Sequence, residues 1–227
     1  VNRIVKKDKL SPSVDMLKFE RDACKKGFRC IAGVDEAGRG CLAGPVVASA
    51  VVLPQETVFS QNLPFLSEIN DSKKLSAKKR DSLYRQMISC DDIQIGIGVV
   101  PEGVIDRINI HQASFLAMRK ALGNLPEIPE LILVDGVFSI PEVTVSQIAI
   151  IGGDGVSVSI AAASIVAKVV RDSIMLEYDK KYPQYGFKEH KGYGTRVHNE
   201  QLKIYGPSQI HRRSYEPVRK LCGIYNG

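Results

Sequence analysis

Ile31-Ala-Gly-Val-Asp-Glu-Ala-Gly-Arg-Gly40 is the stretch on which the reading of this chain turns. A short apolar run ends in two adjacent carboxylates, Asp35 and Glu36, and the chain then turns on two glycines that flank Arg39. Acidic residues are disfavoured inside strands, so this pair marks the mouth of a strand over residues 31–35. The glycine turn behind it bares backbone N–H groups, which favours anions. After Gly44-Pro45, residues 46–53 are β-branched and apolar up to Pro54, so a second, buried strand completes a hairpin. Gly38-Arg-Gly-Cys-Leu-Ala43 formally fits a dinucleotide-binding glycine pattern, but that pattern must open a helix, and here a strand follows. A nucleotide-cofactor fold is therefore excluded.

Moving outward, apolar residues at helical spacing predict a short helix over residues 13–26, ended by Gly27. A loop with Pro54 and Pro64 leads to Asp71-Ser-Lys-Lys-Leu75, and Ser76 is placed to cap a charged helix running past Leu83 and Met87. Residues 93–100 read as a third strand, Pro101 as the first turn of a helix, and residues 111–122 as a further helical stretch. Leu131-Ile-Leu-Val-Asp135 is another apolar run that ends in an acid, and residues 143–151 give a fifth strand. Between residues 157 and 182 there is neither glycine nor proline, and the Ala161-Ala-Ala-Ser-Ile-Val-Ala167 run favours a long helix that lies close against a sheet. A hairpin followed by strands alternating with helices predicts an α/β architecture, a five-stranded mixed sheet flanked by helices. Residues 1–182 are expected to form the main domain, and residues 183–227, basic and tyrosine-containing, a small helical C-terminal extension packed on it.

Composition bounds the function. The 227 residues are 44% hydrophobic, enough for a sizeable core, and carry a formal charge of +6. With acids gathered in the opening stretch, the basic surplus lies elsewhere and fits a polyanionic partner. Five cysteines without a C-x-x-C pair exclude a disulfide framework and a zinc knuckle. No apolar leader and no membrane-length apolar run is present, so a soluble, cytoplasmic protein with no membrane partner is expected, and a monomer.

Asp35 and Asp135 both end apolar strands, and on parallel neighbours their carboxylates would meet at the sheet edge where α/β proteins bind ligands. Asp172 has apolar neighbours at helical spacing (Val169, Met175, Leu176), which puts it on or beside the core-facing stripe, where it needs a partner. Lys168, four residues earlier, is one candidate partner and a hard cation the other. Asp35, Glu36, Asp135 and Asp172 together would make an all-oxygen site suited to Mg²⁺ or Mn²⁺.

Five blocks carry a family resemblance: Gly33-Val-Asp-Glu-Ala-Gly-Arg-Gly40 running on to Pro45, Asp71-Ser-Lys-Lys-Leu75, Val134-Asp-Gly136, the stretch from Ala161 to Arg171-Asp172, and His190-Lys-Gly-Tyr-Gly-Thr195. In this order they resemble ribonuclease HII. The resemblance implies a ribonuclease H-like fold and an endonuclease that cuts the RNA strand of RNA–DNA hybrids and incises DNA duplexes 5′ to embedded ribonucleotides. It implies roles in ribonucleotide removal and RNA primer removal. On this resemblance Asp35, Glu36, Asp135 and Asp172 match the catalytic carboxylates that hold two metal ions, leaving 3′-hydroxyl and 5′-phosphate ends. Gly38, Arg39 and Gly40 match the turn that recognises the ribose 2′-OH, Tyr193 the tyrosine that packs on a sugar, and Lys73 and Lys74 a basic loop. His190 is the histidine nearest a matched motif. The related type 3 enzymes have a larger N-terminal domain and a different glycine turn. The alternative is a non-catalytic hybrid-binding module on the same fold, which would not need all four acids.

Overall fold

A computed structural model describes residues 3–5, 15–56, 63–69, 72 and 75–223. The five expected strands are β2 (Ile31–Ala37), β3 (Val46–Val52), β4 (Gln94–Val100), β5 (Leu131–Asp135) and β6 (Ser146–Ile150). A short edge strand that the sequence pattern did not announce, β1 (Arg3–Val5), adds a sixth. The order is β1-β6-β5-β2-β3-β4. β2, β3 and β4 are antiparallel neighbours, whereas β5 runs parallel to β2 and β6 to β5. The strand that carries Asp35 thus lies between the hairpin half and the parallel half.

Alternate residues of the strands serve opposite faces, as the pleat requires. Ala32, Val34, Ala48 and Ala50 pack with Ala113, Phe115, Ala117 and Ala121 of α3 (Glu102–Gly123) on one face. On the other, Val51 packs with Leu83 and Met87 of α2 (Ala77–Ile88) and with Ala161, Ala162 and Ile165 of α4 (Val158–Lys181). Full burial of each large aliphatic side chain contributes about 1.5–3 kcal/mol, which is what holds the helices to the sheet. Ser76 caps α2 by accepting from the Lys79 N–H at 3.2 Å, and Ser157 caps α4.

Two elements differ from the sequence pattern. The first helix, α1, covers Lys18–Lys25 only, because the Asp15 carboxylate accepts from the Leu17 N–H and holds a turn ahead of it. The two helical stretches expected after Pro101 merge into α3 across a break at Asn109, whose φ is 64°. The Asn109 carboxamide accepts from the His111 and Gln112 N–H groups, so it caps the second half.

The close approach of α4 to the sheet depends on Gly33. A Cβ there would stand 2.1 Å from the Ser159 carbonyl carbon, so a side chain would force the helix off β2. Packed this way, α4 carries Ser164 and Lys168 over the strand end at Asp35. Beyond α4, the helices α5 (Phe187–His190), α6 (Arg196–Tyr205) and α7 (Glu216–Leu221) surround a smaller cluster of Tyr185, Phe187, Leu202, Ile210 and Val218. This cluster also includes Leu42 and Ala43 of the hairpin and Met175 of α4, which ties the C-terminal segment to the site.

Candidate active site

β2 continues past Asp35 to Ala37 along β3, beyond the shorter strand expected from the sequence, whereas β5 ends at Asp135. Parallel pairing sets Val34 beside Val134, so the next residues, Asp35 and Asp135, stand side by side. They open into a cleft of about 280 Å³ lined by Asp35, Glu36, Asp135, the Gly38-Arg39-Gly40 turn, Ser164, Lys168 and Tyr193. Asp35 is only 5% exposed. Its carboxylate accepts from the Glu36 N–H at 2.7 Å and from the Ser164 hydroxyl. Burial, followed by repulsion from Glu36 and Asp135, pushes the Asp35 carboxyl well above the ordinary range. Burial also raises Glu36, against the opposing pull of Arg39, whose guanidinium stands 3.0 Å away. Asp135 accepts from the Gly153 N–H at 2.7 Å.

Asp172 stands apart from the other three. It lies beside the cleft, half-buried, and pairs with Lys168 at 2.8 Å. Among the described residues, no three His, Cys, Asp or Glu side chains close into a cage for a metal ion. Each acid faces a protein donor instead: Ser164 for Asp35, Arg39 for Glu36, the Gly153 N–H for Asp135 and Lys168 for Asp172. The donor set nonetheless fits a hard divalent cation. Three carboxylate groups share one cleft, their ligating atoms are all oxygen, and the mutual repulsion that raises Asp35 is what a cation relieves.

The family model for ribonuclease HII matches residues 32–218. The chain belongs to the ribonuclease HII family. A ribonuclease HII from Bacillus velezensis is 50% identical over 209 residues, covering 92% of this chain and 78% of the relative. Another, from Geobacter sulfurreducens, is 50% identical over 212 residues, covering 93% of this chain and 94% of the relative. Among solved structures, the ribonuclease H2 from Pyrococcus horikoshii superposes with a TM-score of 0.68 at 29% identity, over 85% of this chain and 96% of that one.

Gly38 is buried with φ 100°, and a Cβ there would meet the Arg171 Nε at 2.0 Å, so the turn admits no side chain at that point. Arg39 and Gly40 are exposed to the cleft. Tyr193 is 42% exposed, with the cations of Lys168 and Arg171 at 5.4 and 5.8 Å from its ring centre. Lys73 and Lys74 lie outside the described residues. His190 is buried in the C-terminal cluster, with its ring nitrogens bonded to the Tyr185 carbonyl and the Gly192 N–H, and it does not line the cleft.

Sequence reasoning missed Ser164, Gly153, Arg80, Arg171 and Arg212. For Ser164 a signal existed: Ser164, Lys168 and Asp172 are spaced by four and so share one helix face. Arg80 donates to the carbonyls of Ser72 and Leu75 and shapes one wall of the cleft. Arg171 and Arg212 carry no local signal, because their partners are distant carbonyls. No described helix is long and apolar enough to cross a membrane.

Proposed function

We propose that the cleft at the ends of β2 and β5 cuts the RNA strand of RNA–DNA hybrids and incises DNA duplexes on the 5′ side of embedded ribonucleotides. As a ribonuclease HII the chain is a metal-dependent endonuclease acting on RNA–DNA hybrids. The observation that carries the finer reading is the buried Asp35 carboxyl, raised by burial and then by Glu36 and Asp135, in a cleft that also holds the cations of Arg39, Arg80 and Lys168. In this reading Asp35, Glu36, Asp135 and Asp172 would hold two divalent ions, Mg²⁺ or Mn²⁺, which when bound would supply an activated water at neutral pH and charge stabilisation for the departing 3′ oxygen, consistent with 3′-hydroxyl and 5′-phosphate ends.

The chain's own residues do the remaining work. The Ser164 hydroxyl and the Glu36 N–H hold one face of Asp35 so that its carboxylate keeps a fixed direction. Arg39 and Lys168 bring positive charge to the cleft, where phosphates of the substrate strand can replace carboxylates as their partners. Gly38, Arg39 and Gly40 let the backbone come close to the sugar, the group by which a protein tells RNA from DNA. Tyr193 offers its ring to a neighbouring sugar. The partner is thus a hybrid or a ribonucleotide-containing duplex, and a non-catalytic binding module has no observation in its favour.

The test is incubation with a DNA duplex bearing one ribonucleotide, with Mg²⁺, with Mn²⁺ and with chelator. Incision 5′ to the ribonucleotide with either metal and none with chelator is expected. Absence of incision under both metals would refute the reading.

A further inference from the structure

Residues 41–45, which follow the glycine turn, run between two other segments. On one side Cys41 bridges to Tyr193, and the Leu42 N–H donates to the Gly192 carbonyl at 2.8 Å. On the other side Ala43 bridges to His211, and the Arg212 N–H donates to the Leu42 carbonyl at 2.8 Å. The adjacent residues His211 and Arg212 then reach in opposite directions.

Arg212 is fully buried, and its guanidinium donates to the carbonyls of Gly44 at 2.9 Å, Arg39 at 2.8 Å and Pro45 at 3.1 Å. It also donates to the Tyr215 hydroxyl, which in turn donates to the same Arg39 carbonyl. A buried guanidinium is costly unless its donors are used, and this one donates to the backbone at Arg39 in the glycine turn and at Gly44 and Pro45 just after it. Lysine could not substitute, since one ammonium cannot span carbonyls fixed in a planar fork.

His211 reaches the other way. Its Nδ1 accepts from the Ser208 N–H at 3.0 Å, so its Nε2 carries the proton and donates to His198 Nε2 at 3.0 Å. The His198 Nδ1–H then donates to the Tyr193 carbonyl at 2.8 Å. All the bonds are satisfied by neutral rings, giving a chain with one direction, from Ser208 to the backbone of Tyr193.

We propose that His211 and Arg212 form a positioning pair that fixes the Gly38-Arg39-Gly40 turn relative to Tyr193 and so sets selectivity for a ribonucleotide. Neither residue lines the cleft. They act through the backbone of the two elements that do. The inference rests on the reading that this turn contacts the sugar.

Three variants test it: Tyr215→Phe and Arg212→Lys for the clamp, and Gly40→Ala for the turn itself. A Cβ at Gly40 meets nothing within 4 Å, so that variant folds and intrudes only on a ligand. Tyr215→Phe is expected to leave Mn²⁺ affinity, measured by calorimetry on the protein without substrate, unchanged. It is expected to speed amide hydrogen exchange over residues 38–45 about 10-fold and to lower kcat on a single-ribonucleotide duplex by about 10-fold, with KM little changed. Arg212→Lys is expected to be more severe, and where it fails to fold, Tyr215→Phe alone decides. Normal exchange, or faster exchange with unaltered kcat, overturns the proposal. If Gly40→Ala cleaves like the wild type, the sugar-contact reading itself fails. If Gly40→Ala is impaired and Tyr215→Phe is not, the reading stands and the positioning role falls.

Discussion

Acidification is predicted to loosen the C-terminal cluster through His198 and His211. Both rings are buried, at 0% and 1% exposure, and are joined Nε2 to Nε2 at 3.0 Å. Burial, with the neighbouring histidines adding repulsion, pulls His198 down to about 4 and His211 to about 3, from an ordinary value of 6.5. Both folded values lie below the unfolded one, so the unfolded chain binds more protons across the interval. The stability these rings contribute is fully present above pH 6.5 and is lost as pH falls toward 4 and 3. At 1.36 kcal/mol per pH unit, lowering the pH to about 5 costs about 2 kcal/mol per histidine and about 4 for the pair. Against a total stability of about 5–15 kcal/mol, that is a large fraction. His190, stacked on His198 at 4.3 Å, is lowered by burial and acts in the same direction. Glu20, Asp35 and Glu36, which burial raises, act in the opposite direction and gain stability on acidification. The assay therefore compares proteins: urea unfolding of wild type and His211→Gln at about pH 7.5 and about pH 5. The wild type should lose about 2 kcal/mol more than the variant on acidification. Equal losses would show that the buried histidine is not what couples stability to pH.

Asp35→Asn should lower turnover by roughly 10³-fold, yet raise the melting temperature at pH 8, because it removes a buried charge pressed against Glu36 and Asp135; retained turnover in a cleavage assay would take Asp35 out of the chemistry. Tyr193→Ala should cut single-ribonucleotide incision about 10-fold or more while Mn²⁺ binding by calorimetry is unchanged, and equal incision rates would leave the ring only a packing role. Gly153→Ala brings a methyl within 3.3 Å of the Asp135 carboxylate and 2.6 Å of the Ile160 side chain. We expect about 1–2 kcal/mol of destabilisation and a slower reaction, checked by denaturant titration and steady-state rates. Gly33→Ala, whose Cβ would strike the backbone at Ser159, should cost about 4 kcal/mol or more, read as loss of soluble, cooperatively melting protein.

The hairpin, the parallel strands ending in acids and the long glycine-free helix were all legible because each is a local pattern. A continuous β-branched, apolar run marks β3, an acid closes β5, and small residues at helical spacing let α4 lie against the sheet. The edge strand β1 was not legible, since three residues carry no usable period and take their strand form from pairing with β6. The acids were recognisable by type, and Asp135 also by its place at the end of β5, but their environment was not. Whether Asp172 faces a cation from the protein depended on Lys168 turning back along its own helix, an alternative the spacing had left open.

What the sequence determined alone is therefore the order of elements and the identity of the reactive groups, because both follow from side-chain chemistry at short range. What only the tertiary structure decided is how distant segments of the chain meet. Parallel pairing sets Asp35 beside Asp135, across a hundred residues of intervening chain. Arg212 likewise closes on carbonyls of Arg39, Gly44 and Pro45. A backbone carbonyl has no signature in the sequence, so a buried guanidinium that binds three of them cannot be foreseen until folding brings them within reach.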